Sequence, residues 1–226
     1  MLHQKEKEIV EYLLKDEASF GDAVCFCTGP SLAIDDEIRE CKLHVALEVP
    51  RAEFGLDPNQ KPGDIDILII PEIQGTLHFE RSIAIEVKVV RPTHDKPHKN
   101  LGKMGATQAN GLSNDGFPFV GLLHLEVPEK RVREDCVEMP NGYFMDMFPF
   151  ESAHRQEGRL KSLNLAESIG YSSTGLYHDN NAFMGSTFGF DKKSRLNNNL
   201  SNKLVHSIIN SYYSGRLSIK VLKTYG

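Results

Sequence analysis

Two stretches decide how this chain folds: GDIDILII at residues 63–70 and IAIEVKVV at residues 83–90. Both alternate with a period of two residues, which is typical of β-strands. The two aspartates of the first stretch share one face, and Glu86 and Lys88 of the second share one face. Strands this apolar are built for burial, so each of these charges must be paired or must bind something.

Carboxylates beside an amine favour a divalent-metal site next to a group that can handle a proton. Asp64, Asp66 and Glu86 would supply oxygen ligands of the kind that hard divalent cations prefer. Lys88 would supply the amine. The competing interpretation is a surface hairpin in which Glu86 and Lys88 form an exposed ion pair, worth less than about 1 kcal/mol.

This arrangement resembles the PD-(D/E)XK nuclease superfamily. The pattern of that superfamily is an acid at the start of one strand, followed on the next strand by an acid, any residue and a lysine. Here the two elements are PGDID at 62–66 and Glu86-Val87-Lys88. The resemblance covers roughly residues 40–127 and leaves the rest of the chain unassigned.

The resemblance implies a metal-dependent endonuclease that hydrolyses phosphodiester bonds, of DNA more than of RNA, in restriction, defence or repair. Asp66 and Glu86 would hold one or two Mg2+ or Mn2+ ions, with the backbone carbonyl of Val87 as a further ligand. Such an ion polarises the phosphate and activates water. Lys88 would orient that water or help to deprotonate it. The protein would act alone, as a homodimer or within a larger nuclease complex.

Further acids are candidates for the same site. Asp64 shares a face with Asp66 and is either a second metal ligand or a turn residue after Gly63. Many of these nucleases add an acid from the first strand or the preceding helix, and Glu48, on a strand predicted at 43–50, is the candidate here. Its competitors are Glu37 and Glu40.

An amide and four cations follow the second strand. Gln108 lies on a helix predicted over 101–112, where several branches of the superfamily carry a glutamine that supports the site; otherwise it is a solvated helix residue. The preceding loop and the start of the helix bring basic side chains that could meet phosphates. These are Arg91, Lys96, Lys99 and Lys103. A solvated basic loop is the alternative.

The order of elements predicts an α/β fold, and the resemblance implies a restriction-endonuclease-like core at about 31–127. We expect helices at 4–16 and 31–41, a short strand at 24–28, and longer strands at 43–50, 64–70, 82–90 and 117–127. Strands paired first by a hairpin and then joined by a helical crossover give a mixed β-sheet flanked by helices. Gly29-Pro30 is expected to separate the short strand from the second helix.

Residues 140–226 predict additional C-terminal α+β elements of the same single domain. The aromatic, sulfur-rich segment 143–151 is either a core strand, which is the favoured interpretation, or a partner surface. Residues 170–195 are rich in Gly, Ser, Asn and Asp, so we expect long loops there. Apolar residues at i+4 spacing predict a helix over 198–214, and a closing strand follows at 217–222.

Composition limits the classes of function. The formal net charge of −5 argues against a protein that coats nucleic acid, so attraction for phosphate must come from local patches. No apolar run approaches the roughly 18–20 residues of a membrane span. The four cysteines lack zinc-site spacing and indicate a reducing cytoplasm. Phosphate-loop and serine-hydrolase motifs are absent.

Three kinds of function remain after these exclusions. The first is an active nuclease, which the intact set of Asp66, Glu86 and Lys88 favours. The second is a catalytically inactive relative that uses the same fold to bind nucleic acid or protein. The third is an interaction protein in which the motif is coincidental and the segment 143–150 is the partner surface.

Overall fold

A computed structural model of the chain describes residues 4–34, 37–38, 41–57, 63–96, 105–179 and 182–224. Its helices are α1 (Glu6–Lys15), α2 (Glu17–Leu32), α3 (Ala106–Asp115), α4 (Phe148–Lys161) and α5 (Asn202–Tyr213). Its strands are β1 (Ala33–Ile34), β2 (Glu37–Ile38), β3 (Cys41–Val49), β4 (Ile65–Ile73), β5 (Thr76–Leu77), β6 (Ile83–Val90), β7 (Phe119–Glu126), β8 (Val137–Glu138), β9 (Phe144–Met145), β10 (Gly170–Asp179), β11 (Ala182–Lys192) and β12 (Lys220–Thr224).

A mixed sheet forms the centre of the molecule. Its strands follow the order β11-β10-β7-β6-β4-β3-β12, and β5 pairs with the end of β4. β4 is antiparallel to both β3 and β6, whereas β7 is parallel to both β6 and β10. The chain is therefore an α/β protein with a mixed sheet flanked by helices, as its strand and helix signals predict.

Alternation along the strands divides the apolar side chains between the two faces of the sheet. Ile67 and Val87 pack on one face in a cluster with α1 and α2. Leu68 and Leu122 pack on the other face in a cluster with α3 and α5. Burial on both sides explains why these strands are almost continuously apolar. Because both faces of the sheet are apolar, the charged side chains of Asp66, Glu86 and Lys88 are unusual in these strands.

Most elements predicted within the core are confirmed. The helix expected at 4–16 is α1, and the strands expected at 43–50, 64–70, 82–90 and 117–127 are β3, β4, β6 and β7. α3 begins at Ala106, and residues 97–104, where the predicted helix begins, lie outside the described residues. The helix expected over 198–214 is α5, which begins a few residues later, and the strand expected at 217–222 is β12, which lies slightly further along the chain.

The short strand expected at 24–28 and the helix expected over 31–41 are both wrong. α2 continues to Leu32 with Pro30 in its last turn. Proline cannot donate to the carbonyl four residues earlier, but the carbonyl of Phe26 instead accepts the backbone N–H of Ser194 at 2.9 Å. A contact distant in sequence thus replaces the lost helical bond. After the helix, β1 and β2 form a short hairpin.

The long loops expected at 170–195 are also wrong, because β10 and β11 form an antiparallel hairpin there. The small residues that suggested loops are needed for close packing. A side chain at Gly175 would collide with the backbone of Pro149, and one at Gly189 with Ala153, both on α4. Small side chains therefore let α4 lie directly on these strands.

The aromatic segment 143–151 is divided between two environments. Phe148 is buried at the start of α4, as a core residue would be. Tyr143, Phe144 and Met145 are exposed on or beside β9, so the expectation of a core strand is wrong for them.

Among the described residues, no helix is long and apolar enough to cross a membrane.

Candidate functional site

Asp66 and Glu86 lie where β4 and β6 separate. The ladder between these strands pairs Ile67 with Ile85 and goes no further toward the acids. Beyond that point, the Asp66 carboxylate accepts the backbone N–H of Val87 at 2.6 Å. A side chain thus takes the place of the next backbone bond. This separation brings two carboxylates from neighbouring strands to one end of the apolar sheet.

Glu86 and Lys88 form the ion pair that their shared face predicts. The Nζ of Lys88 lies 2.6 Å from Oε1 of Glu86, whose residue is only 3 % exposed. The same ammonium donates to the backbone carbonyl of Val87 at 2.8 Å. The ion pair is therefore largely buried. This burial argues against the interpretation of an exposed ion pair on a surface hairpin.

Burial raises the pKa values of both acids. Burial, opposed by the Val87 hydrogen bond and by Lys88, raises the pKa of Asp66 to about 6. Burial and the nearby charge of Asp66 raise the pKa of Glu86 to about 7. Burial lowers the pKa of Lys88, but Glu86, Glu6 and Asp66 together raise it above its ordinary value. A cation beside these two carboxylates would offset the cost of burying their charge.

Glu6, at the start of α1, is a site residue that the sequence patterns did not reveal. Its Oε2 accepts the backbone N–H of Val89 at 2.8 Å, and its Oε1 lies 3.4 Å from Nζ of Lys88. The acidic first turn of a helix was visible in the sequence, but it is explained equally well by the helix dipole. Because Glu6 lies more than eighty residues from Lys88 and Val89 in the sequence, no local spacing of residues indicates their contact.

Glu48 joins the same end of the sheet. It has a positive φ of 48°, and the ladder between β3 and β4 skips it, pairing Leu47 and Val49 on either side. Its carboxylate lies 2.8 Å from Nζ of Lys7, and its charge contributes to the raised pKa of Asp66. A small cavity of about 30 Å³ lies between α1, β3 and the start of β4. It is lined by Glu6, Lys7, Val10, Leu47, Glu48 and Asp66.

The remaining candidates lie apart from this cluster or outside the described residues. Asp64 is exposed before β4, and Gln108 is half-buried in the first turn of α3; no described contact joins either one to Glu86. Glu37 lies on β2, in a part of the chain where side chains are not described, and Glu40 lies outside the described residues.

The predicted basic surface is only partly described. Arg91 donates to the backbone carbonyl of Gln4 at 2.5 Å, and thereby holds the segment that leads into α1. Burial lowers the pKa of Arg91. Lys96 is exposed on the loop after β6. Lys99 and Lys103 lie outside the described residues.

The carboxylate oxygens of this cluster are chemically suited to a hard divalent cation. Their geometry suits such an ion only in part. Carboxylates from Asp66, Glu86, Glu48 and Glu6 approach one end of the sheet, and a cavity adjoins Asp66. Within the described ranges, however, no three His, Cys, Asp or Glu side chains are already arranged around one metal position. The ammonium of Lys88 instead contacts both Glu86 and the carbonyl of Val87. Binding of a cation would require this contact to be rearranged.

Comparison of the chain with protein-family models, with curated proteins and with solved structures finds no match. Function must therefore be inferred from the site rather than from relatives.

Proposed function

We propose that this protein is a metal-dependent nuclease with a restriction-endonuclease-like core, which hydrolyses phosphodiester bonds of DNA more than of RNA. The observation that carries the proposal is the convergence of Asp66, Glu86 and Lys88 where β4 and β6 separate. Two carboxylates from adjacent strands beside an ammonium suit a reaction in which negative charge builds on a phosphate.

The order of elements supports this core. Three antiparallel strands, β3, β4 and β6, are followed by α3 and then by β7, which is parallel to β6. Glu86 and Lys88 lie in the middle of β6, and Asp66 lies near the start of β4.

Asp66 and Glu86 would hold Mg2+ or Mn2+, and Glu48 and Glu6 are close enough to complete or support the set. The bound ion supplies Lewis-acid activation of the phosphate and of water. Since its acidic neighbours raise the pKa of Lys88, that side chain remains an ammonium. Lys88 therefore donates hydrogen bonds and neutralises charge on the phosphate, rather than accepting a proton from water.

Contacts to the nucleic-acid backbone are proposed for the basic segment after β6. Lys96 is exposed there, and Lys99 and Lys103 follow within a few residues. Because the net charge is −5, these local cations must supply the attraction. Weak binding at physiological salt is expected without the metal ion. Arg91 would act by holding α1 in place beside the acids.

The test is cleavage of supercoiled DNA, linear DNA and RNA with Mg2+, Mn2+ or EDTA. Wild type is compared with Glu86→Gln and with the control Glu80→Gln, an exposed acid that pairs with His78. The proposal expects cutting that requires a divalent ion, is lost in Glu86→Gln and is kept in Glu80→Gln. Cutting by Glu86→Gln at the wild-type rate would contradict it.

A binding-only subunit is the second candidate, and one observation favours it. The Lys88 ammonium already neutralises Glu86 and covers the carbonyl of Val87, which is a stable arrangement without a metal. Calorimetric titration with Mn2+ separates the two functions. The nuclease requires saturable binding that Glu86→Gln removes, whereas a binding-only fold shows no such binding and still retains nucleic acid or protein.

A further inference from the structure

Three hydrogen-bonded side chains join β3 and β4 to α5. The hydroxyl of Tyr212 lies 2.9 Å from Nδ1 of His44, and Nε2 of His44 lies 2.8 Å from Oε2 of Glu72. His44 is only 7 % exposed. The ammonium of Lys42 pairs with the other oxygen of Glu72 at 2.6 Å. These side chains lie toward the end of β4 opposite to Asp66, so they are separate from the candidate metal site.

Strand register and helix spacing bring these side chains together. β3 pairs with β4 so that Lys42 opposes Glu72, and His44 follows two positions later on the same face. The apolar stripe of α5 buries Ile208 on that face of the sheet. Tyr212 lies one helical turn further along the same stripe. The packing of α5 therefore carries the Tyr212 hydroxyl to the imidazole of His44.

The carboxylate of Glu72 determines which nitrogen of His44 carries the proton. Hydrogen bonds from Lys42 and His44 lower the pKa of Glu72, so this side chain is ionised and accepts the Nε2–H of His44. Nδ1 of the neutral imidazole then presents its lone pair to the Tyr212 hydroxyl, which donates to it. A hydroxyl bonded to a base that a third group orients is the arrangement of nucleophilic catalysis.

We propose that Tyr212 is a nucleophile that accepts an acyl group from an activated aryl ester, with His44 as the general base and Glu72 as its orienting group. The Tyr212 oxygen attacks the carbonyl carbon of the ester, and its proton passes to Nδ1 of His44. The bond between the carbonyl carbon and the aryl oxygen breaks, and His44 returns the proton to that oxygen. The products are a phenol and an acyl ester of Tyr212. This inference is independent of the proposed nuclease activity.

The surroundings of Tyr212 suit an aromatic ester. The ring of Phe79 lies 5.5 Å and that of Tyr213 5.3 Å from the Tyr212 ring, so aromatic surface adjoins the hydroxyl. The hydroxyl lies near the protein surface, where an ester can reach it. Burial, Tyr213 and Glu72 nevertheless raise the pKa of Tyr212, so little phenolate forms in advance. Transfer of the proton to His44 during the attack is therefore the source of reactivity.

Acetylation by p-nitrophenyl acetate tests Tyr212 against exposed tyrosines of the same chain. Tyr143 and Tyr213 are 74 % and 70 % exposed and serve as internal controls. Peptide mapping after a brief reaction should find Tyr212 acetylated at least about tenfold faster than either control, because a general base contributes about 10²–10⁴-fold. Labelling of Tyr212 at the rate of the exposed tyrosines, or more slowly, would overturn the proposal.

Two variants test the roles of the neighbouring side chains. His44→Gln should reduce acetylation of Tyr212 to the rate of Tyr213, with the circular dichroism spectrum unchanged. Glu72→Gln keeps the shape of the side chain but removes the charge that orients His44, so it should also slow the labelling; it serves if His44→Gln does not fold. Wild-type labelling of Tyr212 in either folded variant would show that the hydrogen bonds only tie β3 and β4 to α5.

Discussion

The carboxylate of Glu6 accepts the backbone N–H of Val89 at 2.8 Å, and this bond joins the first turn of α1 to the carboxyl end of β6. β4 has separated from β6 there, so the N–H groups of Val87 and Val89 bond to the carboxylates of Asp66 and Glu6 instead of to a strand. Asp66 and Glu6 therefore stabilise the fold and also belong to the candidate site.

Glu6→Ala should lower the free energy of unfolding by about 1–2 kcal/mol, because it leaves the Val89 N–H without its acceptor. Glu6→Gln keeps an acceptor oxygen and should restore most of this loss. If Glu6 also helps to hold a cation, both variants weaken Mn2+ binding alike. Urea denaturation and calorimetry measure the two effects separately.

The control for Glu6 is Glu11→Ala, an exposed position on the same helix. It should change stability by less than about 0.5 kcal/mol and leave Mn2+ binding intact. Wild-type Mn2+ affinity in Glu6→Gln would restrict Glu6 to the structural role.

Protons and metal ions should compete for Asp66 and Glu86. Their pKa values are raised to about 6 and about 7, so both acids lose protons between pH 5 and pH 8. A metal ion binds the deprotonated carboxylates, and its affinity should rise across this range. Mn2+ titrations at several pH values measure the slope. Asp66→Asn and Glu86→Gln should each remove the binding; a pH-independent affinity in wild type would place the metal elsewhere.

Lys88→Met should separate metal binding from cleavage. Removal of the ammonium frees the carbonyl of Val87 and one oxygen of Glu86, so Mn2+ affinity is expected to be retained or increased. Cleavage should fall by at least about 100-fold because charge on the phosphate is no longer neutralised. Without metal, the variant should be less stable by about 1–3 kcal/mol, since Glu86 remains buried without its partner.

Lys42→Met is the matched control for this substitution. Lys42, on β3, also pairs with a glutamate of the sheet, Glu72. The Lys42 side chain is about half exposed, and the pair lies at the end of β4 opposite to Asp66. Its removal should leave both Mn2+ binding and cleavage unchanged. Full cleavage by Lys88→Met would refute the role assigned to Lys88.

The parts of the fold that could be predicted from sequence were those in which pattern and burial agree. β3, β4, β6 and β7 were recognisable because their alternation or apolar length has one explanation. The same alternation gave the shared face of Glu86 and Lys88, which the structure shows as a direct ion pair.

The elements that could not be predicted depend on contacts distant in sequence. α2 passes through Pro30 because Ser194 bonds to the carbonyl of Phe26. β10 and β11 carry glycine at positions 175 and 189 because α4 packs directly against both positions. Glu6 reaches the site only through the packing of α1. None of these causes is visible within a local window of sequence.

Glu126 gives a test of the buried electrostatics away from the candidate site. It is completely buried at the end of β7, close to Gln156 and Arg159 of α4. Burial, opposed by these two side chains, raises the pKa of Glu126 well above its ordinary value of 4.5. The folded state therefore favours the neutral carboxyl, whereas the unfolded chain ionises. The resulting stabilisation is present below pH 4.5 and is lost as the pH rises toward the folded pKa.

Glu126→Gln keeps the shape of the side chain and cannot ionise. It should match wild type near pH 4.5 and be more stable than wild type at pH 8. Urea denaturation at both pH values, with the exposed Glu138→Gln as control, measures the difference. A variant that is less stable than wild type at pH 8 would show instead that Glu126 is ionised and paired with Arg159, because removal of one partner of a buried ion pair destabilises the folded state.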